Sequence, residues 1–139
     1  MTPAQIDAVQ SSFALVRPIA NQAGEMFYAR LFEIDPSLRS LFKGDIAEQS
    51  KKLMQMLAVA VNSLNNLEAI VPAVQALGAR HAGYGVKDRD YGTVAEALLW
   101  TLQKGLGDAF TPEVKTSWVA AYTVLSGTMQ EAAKEGVKI

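Results

Sequence analysis

The only histidine of the chain, His81, is the residue best suited to do chemistry, since the sequence contains no cysteine. It comes one helical turn after Leu77, at the end of an apolar series with three- and four-residue steps. The earlier members of that series are Leu67, Ile70, Val71 and Val74. An imidazole on such a face either fills the core with both nitrogens hydrogen-bonded or uses one nitrogen as a metal ligand.

The metal-ligand interpretation makes His81 the proximal ligand of a haem iron, with its other nitrogen donating to a backbone carbonyl about one turn earlier. Gly83 and Gly85 would end the helix and let the chain turn closely around a flat ligand. The absence of cysteine excludes disulfides, cysteine-ligated zinc, iron–sulfur clusters and haem held by thiolate or thioether bonds. Metal chemistry in this chain would therefore use His81, carboxylates or a phenol.

Length and composition predict one domain over residues 1–139. The chain is 50% hydrophobic with a formal net charge of −1, so no strong charge favours nucleic acid or an anionic membrane as a partner. The N-terminal residues lack the basic region and apolar core of a signal peptide, and no run approaches the ~18 apolar residues of a membrane span. We therefore expect a cytoplasmic protein.

Helical periodicity recurs along the whole sequence, whereas no segment shows the alternating pattern of a strand, so the expected fold class is all-α. Prolines and glycines mark where helices start, stop or bend. The predicted helices run from Thr2-Pro3 to Arg17, from Ile19 to Ile34, briefly after Asp35-Pro36, from Ala47 to Leu64, through His81 with a kink at Pro72, from Tyr91 to Leu106 before Gly107, and onward from Thr111-Pro112.

Five motifs follow one another along the chain: Met26-Phe27-Tyr28-Ala29-Arg30-Leu31-Phe32, Asp35-Pro36 leading to Leu41-Phe42, Gln49 with Leu53, Leu77 to His81 followed by Gly85-Val86, and Tyr91 with Trp118 and Tyr122. In this order they resemble the globin family, in particular single-domain bacterial haemoglobins and the globin domain of flavohaemoglobins. The likeness covers nearly the whole chain and implies the globin fold, with helices packed around a pocket for haem b, iron protoporphyrin IX.

The resemblance also assigns roles to individual residues. His81 corresponds to the proximal iron ligand, with its free nitrogen bonded to the Leu77 carbonyl. Tyr28 and Gln49 correspond to the polar pair on the opposite, ligand-binding side of the haem, which we call the distal pair. The expected haem contacts are Phe42, Leu53, Val86, Tyr91 and Val94.

Hydrogen-bond donors in the distal pair would stabilise bound dioxygen, on which negative charge accumulates, more than carbon monoxide. The expected function is therefore reversible, high-affinity binding of dioxygen with slow release, for storage, transport or delivery. Because the chain has no second histidine, a sixth ligand in the ferric state would be water, the Tyr28 phenolate or a lysine such as Lys52. Arg80 and Lys52 are candidate partners of the haem propionates.

An enzymatic alternative is nitric oxide dioxygenation with a separate reductase, since the chain has no glycine-rich dinucleotide fingerprint. In flavohaemoglobins a tyrosine and a glutamate polarise the proximal histidine. Tyr91 matches that tyrosine, but Ala133 occupies the position of the acid, and Glu131 lies about 200° away around the helix. A third interpretation is a haem-free globin that acts as an interaction or sensor module.

Overall fold

The computed structural model describes residues 1–42, 44–83 and 88–137, except for the side chains of residues 81–83, 88 and 131–137. Within these ranges every regular element is helical, which confirms the all-α prediction. The α-helices within these ranges are α1 (Pro3–Val16), α2 (Ala20–Ile34), α3 (Ile46–Asn62), α4 (Val71–Gly83), α5 (Asp88–Leu106) and α6 (Pro112–Val137). Short 3₁₀ helices cover Arg17–Ile19, Pro36–Leu41, Leu64–Ala69 and Gly107–Ala109.

The helix ends follow the capping signals of the sequence. The Thr2 hydroxyl accepts a hydrogen bond from the Gln5 backbone at 3.2 Å, and the Gln5 side chain accepts one from the Thr2 backbone at 3.0 Å. Asp45 caps α3 by accepting from the Ala47 N–H at 3.0 Å. Gly107 follows the last residue of α5 with φ of 56°, a left-handed conformation that residues with a side chain rarely adopt.

The two predicted proline effects had different outcomes. The break near Pro18 is confirmed, because α1 ends at Val16 and the chain continues as a 3₁₀ turn. The kink expected at Pro72 is wrong. Pro72 is the second residue of α4, where a missing N–H leaves no intrahelical bond unmade, so the proline begins the helix instead of bending it.

Helices α2 and α6 organise the packing. Helix α2 lies against α3 and α5, whereas α6 lies against α1, α4 and α5. The core between them is apolar, with Val9, Phe13, Leu31 and Trp118 almost fully buried. The Trp118 indole donates to the Ser12 hydroxyl at 2.9 Å, which satisfies its polar atom inside the core and joins α6 to α1.

The part of the chain described above contains no helix that is both long enough and apolar enough to cross a membrane.

Candidate functional site

Tyr28 lies on the buried face of α2, and only 4% of its surface is exposed. Its ring meets that of Phe27 at 5.0 Å and that of Phe42 at 5.2 Å, both edge to face, and that of Phe32 at 6.0 Å. These contacts fix the ring on three sides. The hydroxyl is therefore carried by a side chain with little freedom to move.

The structure brings the two residues of the distal pair together. The Gln49 side chain, half-buried on α3, lies close enough to the Tyr28 hydroxyl to influence its pKa. Burial raises the pKa of Tyr28 above its ordinary value, and the polar Gln49 side chain beside it lowers the pKa by a smaller amount. At neutral pH Tyr28 is thus a protonated phenol with a proton to donate.

A close crossing of α2 and α3 holds this pair in place. A Cβ atom built on Gly24 would lie 2.9 Å from the Cβ and 3.0 Å from the carbonyl oxygen of Ser50. Gly24 precedes Tyr28 by about one turn, and Ser50 adjoins Gln49. The crossing that requires a glycine in α2 therefore also sets the separation of the two polar side chains.

Phe42 is positioned by its neighbours and by Arg39. Its ring contacts Phe32 at 5.6 Å as well as Tyr28, and it is half-buried after the 3₁₀ turn that ends at Leu41. The Arg39 guanidinium donates to the Phe42 carbonyl at 2.7 Å and lies 5.7 Å from the centre of the Phe32 ring. Phe42 thus presents an apolar face beside Tyr28.

Leu53, one turn after Gln49 on α3, is half-buried and borders an apolar cavity of about 20 Å³. Phe27, Leu57, Leu98 and Trp118 are among the other residues that line it. A cavity of this size holds one small molecule, and an apolar lining does not favour water.

The predicted proximal residues are described less completely. His81 lies in α4, but its side chain is outside the described part of the structure, and Val86 is outside it altogether. Val94 is half-buried on α5 and packs against the core, and Tyr91 is buried. The Tyr91 carbonyl accepts a 2.6 Å hydrogen bond from the Tyr122 hydroxyl, which joins α5 to α6.

Tyr122 keeps its proton far above neutral pH. Burial raises the pKa of its phenol, and the nearby Tyr91 phenol raises it further by repulsion between the two ionised forms. Tyr122 is therefore a lasting donor to the Tyr91 carbonyl, a role that supports the backbone of α5.

The other ionisable candidates lie at the surface. Lys52 and Arg80, proposed as partners of the haem propionates, are both exposed. Among the described residues no group of three or more histidine or acidic side chains could hold a metal ion.

Sequence reasoning did not identify Gly24, Arg39 or Phe32 as parts of this site. One signal was available for the glycine, since a glycine inside a strongly helical pattern usually has a packing reason. No sequence pattern indicated that Arg39 would bond to the Phe42 carbonyl, because that contact depends on the 3₁₀ geometry between them.

Comparison with known families gives a match over most of the chain. The sequence profile of the family Globin matches residues 25–129, a range that contains Tyr28, Gln49 and His81. A neuroglobin of Tetraodon nigroviridis is 31% identical, over 81% of this chain and 80% of the neuroglobin.

Two further proteins are similar over nearly the whole chain. A flavohemoprotein of Vibrio cholerae is 29% identical, over 91% of this chain and 33% of that longer protein. The solved structure of an engineered carbene transferase, described as a putative nitric oxide dioxygenase from Rhodothermus marinus, is 26% identical. It matches with a TM-score of 0.87, covering 97% of this chain and 94% of that structure.

Proposed function

The chain belongs to the globin family, and we propose that it binds haem b through His81 and reversibly binds dioxygen with high affinity and slow release. The observation that supports this most directly is the distal pair, in which a buried phenol is held against the Gln49 side chain. Membership of the family implies haem binding. The type of haem, the ligand residue and the preference for dioxygen are our proposal.

The residues present fit a haem group. The chain offers one imidazole and no thiol, so His81 is its obvious nitrogen ligand for iron. Phe42, Leu53 and Val94 are half-buried apolar side chains next to the core, suited to contact an apolar ring. A haem iron held by one histidine supplies an open coordination position for a diatomic gas.

The distal pair supplies hydrogen bonds to that gas. Tyr28 keeps its proton at neutral pH and Gln49 has two amide protons, so each can donate to a ligand that gains negative charge. A hydrogen bond to a charged acceptor contributes about 1.5–3 kcal/mol, which slows release by about 10- to 150-fold. Carbon monoxide, which is less polar when bound, gains less from the same donors.

The apolar cavity beside Leu53 could hold a gas molecule near the distal helices, although neither Tyr28 nor Gln49 lines it. Its volume of about 20 Å³ admits one small molecule, and its lining includes the side chains of Phe27 and Leu57. Dioxygen, carbon monoxide and nitric oxide all fit this description, so the distal pair and not the cavity would select among them.

The test compares Tyr28→Phe with the wild-type protein, both loaded with haem and reduced, by stopped-flow release of dioxygen and carbon monoxide. We expect dioxygen release to accelerate by about 10- to 150-fold and carbon monoxide release to change much less. The carbon monoxide rate is an internal control, since general damage to the pocket would alter both rates. Equal dioxygen rates in the two proteins would contradict the proposal.

A second candidate is nitric oxide dioxygenation, in which both atoms of dioxygen enter nitrate and a one-electron reductant returns the iron to its ferrous state. The similarity to the Vibrio cholerae flavohemoprotein and to the putative nitric oxide dioxygenase of Rhodothermus marinus favours it. Sustained consumption of nitric oxide by a catalytic amount of protein with a generic reductase would support this activity. A single turnover per haem would favour binding alone.

A further inference from the structure

The closest approach between helices at a described glycine occurs where α4 crosses α6. A Cβ atom built on Gly78 would overlap the carbonyl oxygen of Met129, and it would lie 2.6 Å from the Met129 Cα and 2.8 Å from its carbonyl carbon. Gly78 is buried. All three of these atoms belong to the backbone of α6, so no side-chain rotation could make room for a methyl group at this position.

Other described glycines do not share this environment. Among the described residues, no heavy atom lies within 4 Å of a Cβ built on Gly92 or Gly127, so an alanine would fit there. A Cβ built on Gly24 would meet both a side-chain atom and the backbone of Ser50, at 2.9 Å or more. Among these glycines, Gly78 is therefore the one at which a Cβ would come closest to other atoms. Those atoms belong to the backbone, which adjusts less readily than a side chain.

Helix α4 meets the rest of the protein mainly along one face. Val74, Leu77 and Gly78 are buried or half-buried, whereas Ala76 and Ala79 are exposed. That inner face packs chiefly against α6. The position of α4 is consequently determined by how closely it approaches α6, and at Gly78 the α6 backbone lies where a side chain would be.

We propose that Gly78 is a positioning residue for His81, which lies one turn further along α4. Because Gly78 has no side chain, the α6 backbone can lie directly against α4, and this contact sets the position of α4 and of His81. This inference rests on the proposed function, because it concerns His81 as the iron ligand. An alanine at position 78 needs α4 to move by about 1 Å to restore ordinary contact distances. Displacements of this size at a metal ligand reduce affinity or rate by about 10- to 100-fold.

The experiment uses the haem-loaded ferrous protein without a gas ligand. The iron–histidine stretching band is measured by resonance Raman spectroscopy, and haem transfer to an excess of apomyoglobin is measured by absorbance. Gly78→Ala is compared with the wild type and with Gly127→Ala, which makes the same change in a helix where a Cβ has open space. We expect Gly78→Ala to shift the band and to accelerate haem transfer by about 10- to 100-fold. Gly127→Ala should match the wild type in both measurements.

Two outcomes would overturn the inference. If Gly78→Ala keeps the wild-type band and transfer rate, Gly78 does not position His81, while the proposed haem ligation stands. If the wild-type protein itself shows no iron–histidine band, the proposed function fails first and this inference fails with it.

A second variant keeps the test decisive if Gly78→Ala folds poorly. Met129→Ala removes the side chain and leaves the backbone atoms that face Gly78. We expect its iron–histidine band to match the wild type. A shifted band would show that the Met129 side chain, and not the backbone approach at Gly78, sets the place of α4.

Discussion

Two helix crossings differ in how they constrain the proposed haem site. On the distal side, α2 crosses α3 at Gly24 and Ser50, and the distal pair lies beside that crossing. On the proximal side, α4 crosses α6 at Gly78 and Met129. At the distal crossing, the nearest atom to a Cβ on Gly24 belongs to a side chain, whereas at Gly78 the three nearest atoms all belong to the α6 backbone. The helix that carries the proposed iron ligand thus has less freedom to adjust than the helices that carry the proposed gas-binding donors.

This difference suits the two proposed tasks. A metal ligand must be held within a few tenths of an ångström, since affinity falls steeply with misplacement. A hydrogen-bond donor to a diatomic ligand tolerates small changes in distance and angle. The predictions that follow test the two sides separately.

The largest effect is expected from removing the proposed iron ligand. In His81→Gly the five-coordinate ferrous absorption spectrum of the haem-loaded wild type should disappear, because the chain has no second histidine. Added imidazole should restore it by occupying the vacated space. A variant that keeps the wild-type spectrum without imidazole would show that another residue holds the iron.

Gln49→Leu should accelerate dioxygen release by about 10- to 150-fold, because it removes one of the two proposed donors. Gln55→Leu, the same change at an exposed position of α3, is the matched control and should leave release unchanged. Both rates are measured by stopped-flow absorbance.

Combining Gln49→Leu with Tyr28→Phe then tests whether the distal pair acts as a unit. Because the two side chains lie next to each other, the double variant should release dioxygen more slowly than the product of the two single effects predicts. Strictly multiplicative effects would mean that the two donors act independently.

Gly24→Ala should destabilise the fold relative to Gly127→Ala by about 1–3 kcal/mol, the usual cost of overpacking a close contact. The comparison cancels the gain in helix propensity that both substitutions share. Urea unfolding of the haem-loaded proteins gives the difference in the free energy of unfolding.

A second substitution, in Ser50, tests whether the crossing at Gly24 differs from the crossing at Gly78. Adding Ser50→Gly should recover part of the lost stability, because it removes the Cβ that alanine at position 24 would meet at 2.9 Å. If Ser50→Gly recovers nothing, the backbone contact alone determines the distal crossing, and the contrast with Gly78 is lost.

The smallest effect is expected for Tyr122→Phe, which removes the 2.6 Å hydrogen bond to the Tyr91 carbonyl. The free energy of unfolding should fall by about 0.5–1.5 kcal/mol at neutral pH. Dioxygen release should stay unchanged, because this bond joins α5 to α6 and lies apart from the distal pair.

The pH dependence of that variant provides a further check. Burial raises the pKa of Tyr122 in the folded state, so the folded protein keeps a proton that the unfolded chain releases near pH 10. The stabilisation is complete below about pH 10 and is lost as the pH rises further. Tyr122→Phe should therefore lose less stability than the wild type between pH 9 and 11. Parallel pH profiles would contradict this assignment.

Much of the local structure was predictable from the sequence. Thr2 with Pro3, Pro18 and Gly107 mark helix boundaries through backbone chemistry that depends only on neighbouring residues. Pro72 was misassigned because a proline in the first turn and a proline that kinks a helix look alike until the start of the helix is known. The apolar periodicity of α4 extends back to Leu67, so the sequence alone did not show where α4 begins. The structure places a 3₁₀ turn over Leu64–Ala69.

The sequence by itself determined the helical class, most helix ends and the residue types of the proposed site, because periodicity and capping act over a few residues. Only the tertiary structure decided that Tyr28 meets Gln49, that Arg39 bonds to the Phe42 carbonyl, and that Gly78 lies against the α6 backbone. Periodicity shows which face of a helix is buried, but not which helix covers that face or how closely. The packing of the whole chain determines which helices meet and how closely, and a single missing Cβ can set the distance between two of them.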